Sequence, residues 1–274
     1  MDTAIPNAPA RRYADGKMLA AKDDGIGFIT FNQPDKRNAM SIEMWQGLAD
    51  ILDDFAADDG VRVAIMTGAG DKAFVSGADI SQFEKRRADA DGEAAYAAAT
   101  GGGRARLAAF PKPLIASIRG YCLGGGLAIA MQADLRVAAR TAEFGVPAAR
   151  LGIAYAFEGL RTLVQLVGPA HARMLLYTGR RIPADEAARI GLINQVVEDD
   201  ALAATVTELA RTIAGNAPLS IAASKLCINS VLQDPADRDF EAIARAGRAC
   251  LDSADYREGR TAFMEKRKPR FTGR

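Results

Sequence analysis

Residues 110–134 read FPKPLIASIRGYCLGGGLAIAMQAD. Leu114 to Ile118 is a short apolar, partly β-branched run, the pattern of a buried strand. Gly124, Gly125 and Gly126 let the backbone turn sharply and leave no side chain to block a ligand. Leu127 to Met131 is apolar on every side, which predicts a buried helix. A backbone N–H near Gly125 then stands at a helix N-terminus, where the first donors lack partners within the helix and the dipole favours negative charge. That is the physics of an oxyanion hole. A tight turn alone accounts for three glycines equally well, and an oxyanion hole needs a second donor.

A candidate for that donor lies upstream in KAFVSGADI, residues 72–80, where an apolar strand, Val63 to Met66, again runs into a turn of small residues. AFVSGADI followed by PKPLIASIRGYCLGGGLAIA resembles the crotonase (enoyl-CoA hydratase/isomerase) superfamily. The resemblance continues through AEFGVP at 142–147, LVGPAHARMLLYTGRRIPADEAARIGLINQVV at 166–197 and YREGRTAFMEKRKPRF at 256–271. It spans residues 20–271 in the family's order. It implies an α/β fold, a crotonase-type spiral of ββα repeats with a C-terminal α-helical oligomerisation region, although no repeat period is visible in the sequence itself.

With 274 residues the chain is long enough for one large domain with a sizeable core. Its net charge of +1 gives no basic excess for nucleic acid. Cys122, Cys227 and Cys250 form no C-x-x-C pair and read as reduced core thiols. His171 is the single histidine, so no histidine-rich metal site is expected. Met1 to Lys22 lacks the apolar segment of a signal peptide, and no apolar run reaches membrane-spanning length. A cytoplasmic enzyme is the expectation, with no membrane partner.

Residues 1–16, with Pro6 and Pro9, read as a loose N-terminal arm. Ile26 to Phe31 reads as a strand, QPDKRNAM at 33–40 as a loop, and Ser41 as the cap of a helix reaching about Ala57. Residues 81–109 read as a helix, a flexible break at Gly101–Gly103, and a second helix to Phe110. Leu135 to Ala139 is a strand and Ala142 to Pro147 a turn. Helices follow at 158–167 and 169–178, and Pro183 opens another that ends at Gly191. Leu192 to Val197 is the last strand, and everything from Asp199 is helical. The change from mixed to all-helical patterning divides a core at 17–198 from a helical region at 199–274.

The resemblance implies an acyl-CoA thioester substrate, with coenzyme A as part of the substrate and no separate cofactor. It implies that the backbone N–H groups of Ser76 and Gly125 receive the thioester oxygen, stabilising a developing enolate more than the neutral thioester. Coenzyme A contacts carry over to Arg37, Ala39, Ala78, Asp79 and Ile80. Phe263 and Lys266 match positions that neighbouring subunits contribute in family trimers, and a homotrimer or dimer of trimers is implied.

One departure bears on the reaction. Typical enoyl-CoA hydratases carry a glutamate three residues after the second oxyanion glycine and another after the FG-x-P turn, and this pair moves the protons of water. Ala128 and Ala148 occupy those positions here, and Ala156 occupies a third where some relatives place an aspartate. Alanine transfers no proton. Tyr155 and Glu158 are the candidates to act instead. Tyr155, in RLGIAYAFEGL, resembles the tyrosine of methylmalonyl-CoA decarboxylases, which need no base because loss of carbon dioxide yields an enolate directly. That subgroup has histidine where this chain has Ala78. Glu158, at a helix start, is either a buried acid or base or a carboxylate that stabilises the helix N-terminus. A non-catalytic acyl-CoA-binding protein is the rival reading.

Overall fold

A computed structural model of the chain describes residues 9–79 and 90–274. Seven strands form a large sheet: β1 (Arg11–Tyr13), β2 (Met18–Asp23), β3 (Ile26–Phe31), β4 (Val63–Gly68), β6 (Leu114–Ile118), β8 (Leu135–Ala139) and β11 (Gln195–Val197), in that spatial order. A smaller sheet holds β10 (Arg181–Pro183), β9 (Glu143–Gly145), β7 (Tyr121–Leu123) and β5 (Ala73–Val75), again in spatial order.

The chain alternates between the sheets. β4, β6 and β8 are parallel neighbours in the large sheet, and each leads directly to a strand of the small one, β5, β7 or β9. Helices α2 (Ala90–Ala108), α3 (Gly125–Met131) and α4 (Phe157–Thr178) return the chain after each pair. Three successive ββα units thus form the turns of a spiral, as the resemblance implies.

Period-two patterning explains how the large sheet is buried on both faces. Ile26, Phe28, Val63, Ile65, Ile115 and Val137 point to one side, where Leu202, Val206, Ala210 and Ala214 of α6 (Leu202–Ala214) cover them. Ile29, Phe31, Ala64, Met66, Leu114 and Ala116 point to the other, against α1 (Ile42–Ala57) and the small sheet. Ser41 caps α1 as expected, its hydroxyl accepting from the Met44 N–H at 3.3 Å. After β11 and α6 the remaining helices are α7 (Pro218–Val231), α8 (Phe240–Asp252) and α9 (Ala254–Met264); α5 (Ala184–Arg189) lies earlier, after β10.

Several expectations need correction. Arg11–Tyr13 is not part of a loose arm but a hairpin strand paired with Met18–Ala20. The Ala142–Pro147 turn contains β9, which supplies the middle of the small sheet. Gly101–Gly103 does not break a helix; α2 runs through it. A β-carbon at Gly103 would come within 2.5 Å of the Trp45 carbonyl oxygen. The glycine lets α2 and α1 approach closely, and the gain from that packing outweighs the poor intrinsic helix propensity. The two helices expected at 158–178 meet at Gly168, whose φ of 72° and ψ of 164° kink α4 just before Pro169.

Candidate active site

β5, β7 and β9 lie side by side and parallel, so their carboxyl ends deliver three turns to one place. These turns are Ser76–Asp79, Gly124–Gly126 and Val146–Ala148. The crevice outside the carboxyl ends of parallel strands is the common place for a ligand in open α/β sheets.

The glycine turn is built for close approach. Gly124 has φ 51° and ψ −114°, a conformation that only glycine adopts readily. A β-carbon on Gly126 would overlap the carbonyl oxygen of Val75, so the first turn of α3 is pressed against the end of β5. Gly125 has space: the site of its absent β-carbon lies 3.7 Å from the Ala78 nitrogen. Gly125 is the first helical residue of α3, so its N–H has no acceptor within the helix. Leu127, Ile129, Ala130 and Met131 are buried, as their uniform apolarity predicts.

The loop 33–40 decides which N–H groups of the upstream turn are free. The Ser76 N–H donates to the Arg37 carbonyl at 3.1 Å. The Met40 N–H donates to Gly77 O at 2.8 Å, and the Asp79 N–H to Met40 O at 2.9 Å. Ala78 sits between these last two bonds as the bridge partner of Met40, so its own N–H points away from the loop, and its nitrogen lies 3.7 Å from the β-carbon site of Gly125. Among the described residues neither Ala78 nor Gly125 gives its N–H to a backbone acceptor. The Ser76 N–H, expected to be the upstream donor, is thus already engaged, and the residue two positions on lies beside Gly125.

Asn38 holds the loop in place. It is fully buried with φ 56°, and its amide donates to Ala69 O at 3.0 Å and Ala73 O at 2.8 Å while accepting from the Gln33 N–H at 2.9 Å. Ala39 is buried beside it, with its N–H on Lys36 O. Asp79 is buried and meets Lys36 at 3.0 Å. Arg37 is exposed, its guanidinium 5.5 Å from the centre of the Tyr121 ring. Ile80 lies outside the described residues. Arg37, Ala39, Ala78 and Asp79 are therefore brought together around the strand ends. Phe263 and Lys266 are not: both are exposed at the end of α9, and the 430 Å³ cavity that Phe263 borders is lined only by residues between 217 and 271.

Tyr155 reaches the glycine turn. Its hydroxyl donates to Gly124 O at 3.4 Å, and its ring fits against Gly159, where a β-carbon would approach within 2.7 Å of the ring. Burial pushes the phenol well above its ordinary value; the nearby Arg104 guanidinium works against that rise. The phenol is therefore protonated at neutral pH, a donor and not a base. Glu158 differs from expectation: it stands exposed in the first turn of α4 and is not buried. Ala128 and Ala148 are half-buried in α3 and in the 3₁₀ turn Pro147–Leu151. Glu143 pairs with Arg181 at 3.4 Å. The three cysteines are free thiols, with Cys122 fully buried. Among the described residues no cluster of three or more His, Cys, Asp or Glu side chains has metal-binding geometry, and no helix is long and apolar enough to cross a membrane.

Known proteins resemble this chain along nearly its whole length. The family profile described as Enoyl-CoA hydratase/isomerase matches residues 21–274. The short-chain-enoyl-CoA hydratase of Clostridium acetobutylicum is 37% identical over 257 residues, 92% of this chain and 95% of that protein. The crotonyl-CoA hydratase of Syntrophomonas wolfei is 38% identical over 260 residues, 93% of this chain and 97% of that protein. The crystal structure of an enoyl-CoA hydratase/carnithine racemase from Magnetospirillum magneticum superposes with a TM-score of 0.89 at 40% identity, covering 94% of this chain and 96% of that one. The profile, the relatives and the spiral of ββα units agree: the chain belongs to the enoyl-CoA hydratase/isomerase family of the crotonase superfamily.

Proposed function

We propose that the chain is an acyl-CoA enzyme that stabilises a thioester enolate between the backbone N–H groups of Ala78 and Gly125. The observation that carries this reading is that, among the described residues, neither N–H has a backbone acceptor, while the two residues lie close together beyond the ends of adjacent strands. Fixed donors aimed at a developing oxyanion need no reorganisation as charge builds, which is the source of their catalytic effect. Arg37, Ala39, Asp79 and Ile80 bind the coenzyme A portion, and Phe263 and Lys266 of a neighbouring subunit complete it. Exposed apolar side chains on the C-terminal helices, among them Ile228, Val231, Phe240, Leu251 and Met264, support a trimer or dimer of trimers. The enzyme is cytoplasmic and needs no cofactor beyond the coenzyme A of its substrate.

The enzyme is atypical within its family, because Ala128 and Ala148 stand where the two-glutamate mechanism has its proton carriers. A second reading, acyl-CoA decarboxylation of the methylmalonyl-CoA decarboxylase kind, is favoured by Tyr155. A protonated phenol beside the glycine turn can orient an acyl group, and decarboxylation requires no base to form the enolate.

The test is mass spectrometry of enoyl, hydroxyacyl, malonyl and methylmalonyl thioesters of coenzyme A incubated with the protein in heavy water. Gain of water supports a hydratase in which another group replaces the glutamates. Loss of carbon dioxide supports the decarboxylase. Binding of the thioesters without any mass change or deuterium uptake would sink the enzymatic reading in favour of an acyl-CoA-binding protein.

A further inference from the structure

Lys266 stands in a backbone conformation that lysine rarely adopts. It follows α9 with φ 57°, while the Arg267 N–H donates to Ala262 O at 3.0 Å and the Lys266 N–H to Phe263 O at 3.3 Å. This is the Schellman ending of a helix, and Lys266 holds the position that glycine usually fills because a side chain there is strained. Strained residues persist where the surrounding structure holds them, and they cluster at ligand sites. Among the described residues the exposed Lys266 ammonium pairs with no carboxylate, whereas Arg267 beside it pairs with Glu258 and Glu265. Its charge is free to meet a ligand.

What holds this turn is a strap, residues 265–273, that runs back along α9. Glu258 and Asp255, three residues apart on α9, share the helix face that meets it. Glu258 accepts from both terminal nitrogens of Arg267, at 2.7 and 2.9 Å, and from the Arg270 N–H at 2.8 Å. Asp255 is buried and accepts from the Thr272 N–H at 2.7 Å and the Gly273 N–H at 2.8 Å. The Phe271 carbonyl accepts from the Arg62 guanidinium at 2.7 Å, which ties the strap to the residue before β4. An 820 Å³ cleft runs between the strap and α9, bordered by Asp255 and Glu258 on one side and Arg267, Arg270 and Thr272 on the other. Hydrogen bonds to the two carboxylates, more than close packing, set the strap's course. We propose that Glu258 and Asp255 are positioning residues for coenzyme A binding: through the strap they hold Lys266 in its left-handed turn, so that its ammonium meets the phosphates of coenzyme A bound by a neighbouring copy. This rests on the reading of the chain as an acyl-CoA enzyme completed by a neighbouring subunit, and adds the device that fixes the contributed residue.

Calorimetric titration of the whole protein with coenzyme A, and with pantetheine, which lacks the phosphates, tests the proposal. Lys266→Gly should weaken coenzyme A binding about tenfold and leave pantetheine binding within about twofold. The same variant should unfold at a higher urea concentration, because glycine relieves the left-handed strain. A residue that costs stability and gains affinity is the mark of strain kept for a ligand. Glu258→Ala removes the strap's contacts but keeps a good helix former in α9, at a position that is only half-buried, so the variant should fold. It should weaken coenzyme A binding by a similar factor. Added to Lys266→Gly, it should cost less than about twofold more, because both act through one ammonium. A general loosening of the fold would instead add its full effect in the double variant. Unchanged coenzyme A affinity in Glu258→Ala, or full additivity, overturns the positioning role. Unchanged affinity in Lys266→Gly overturns the half-site itself. Each of these leaves the acyl-CoA reading standing, whereas an unaltered protein that binds no coenzyme A overturns both.

Discussion

The hydroxyl of Tyr155 donates to the carbonyl oxygen of Gly124 at 3.4 Å, one residue before Gly125, whose β-carbon site lies 3.7 Å from the Ala78 nitrogen. The tyrosine and the glycine turn are therefore one unit, and the phenol's raised pKa keeps it a donor throughout the neutral range. Tyr155→Phe retains the ring that packs against Gly159 and removes only the hydroxyl. Turnover should fall about tenfold, the equivalent of ~1.4 kcal/mol of transition-state stabilisation, while coenzyme A binding stays within about twofold. Steady-state kinetics beside a binding titration separate the two effects. An unchanged kcat would return Tyr155 to a packing role.

Gly125→Pro removes the donor N–H at the first residue of α3. Proline is tolerated at that position because the missing N–H has no helical acceptor and the ring's fixed φ suits a helix start. The absent β-carbon also has ordinary room, 3.7 Å from Ala78 N. The variant should fold, bind coenzyme A and lose activity by about a hundredfold or more. A folded and fully active Gly125→Pro would disprove the oxyanion assignment.

Glycines in successive turns of the spiral should respond in opposite ways. In Gly126→Ala the new methyl group meets the Val75 carbonyl oxygen, a backbone atom that cannot swing aside. A loss of about 2–4 kcal/mol in denaturant unfolding is expected, or failure to fold. Gly101 is helical, and nothing stands within 4 Å of its β-carbon site. Gly101→Ala should stabilise the protein by about 0.5–1 kcal/mol through helix propensity and a less flexible unfolded chain. Equal effects of the two substitutions would show that local backbone preference, not contact, governs both.

The same contrast explains what the sequence could and could not convey. Apolar alternation in Ile26–Phe31 and Val63–Gly68 is a local property, and so is the Ser41 cap; all are readable along the chain. β9 has three residues, too few to display a period. The function of Gly103 depends on Trp45, 58 positions earlier by subtraction of the residue numbers, so a glycine triplet that packs a helix looks like one that breaks it. The site behaves likewise. GADI and LGGG announce the turns, but which N–H is left for a ligand depends on how residues 37–40 pair with 76–79. That pairing takes Ser76 and spares Ala78. Exposure of Glu158 is equally a tertiary property, since any helix start can display a glutamate.

Cys122 gives a pH-dependent prediction with a definite sign. Its thiol is fully buried beneath the site, and burial raises its pKa far above the ordinary 9.0. In the unfolded chain the same thiol ionises near its ordinary value. Above that pH the unfolded state holds fewer protons than the folded one, so stability is whole below pH 9 and declines as pH rises beyond it, by up to ~1.4 kcal/mol per pH unit for one group. Tyr155, raised above 10.0, adds a decline of the same sign at higher pH. Urea unfolding between about pH 7 and pH 10 should show the descent, and Cys122→Ala should make it shallower, at a cost of about 1 kcal/mol at neutral pH from the lost packing. A thiol reagent should label Cys227 and Cys250, which are only half-buried, well before Cys122. Rapid labelling of Cys122 in the folded protein, or an alkaline profile that Cys122→Ala leaves unaltered, would mean that the floor of the glycine turn opens to water.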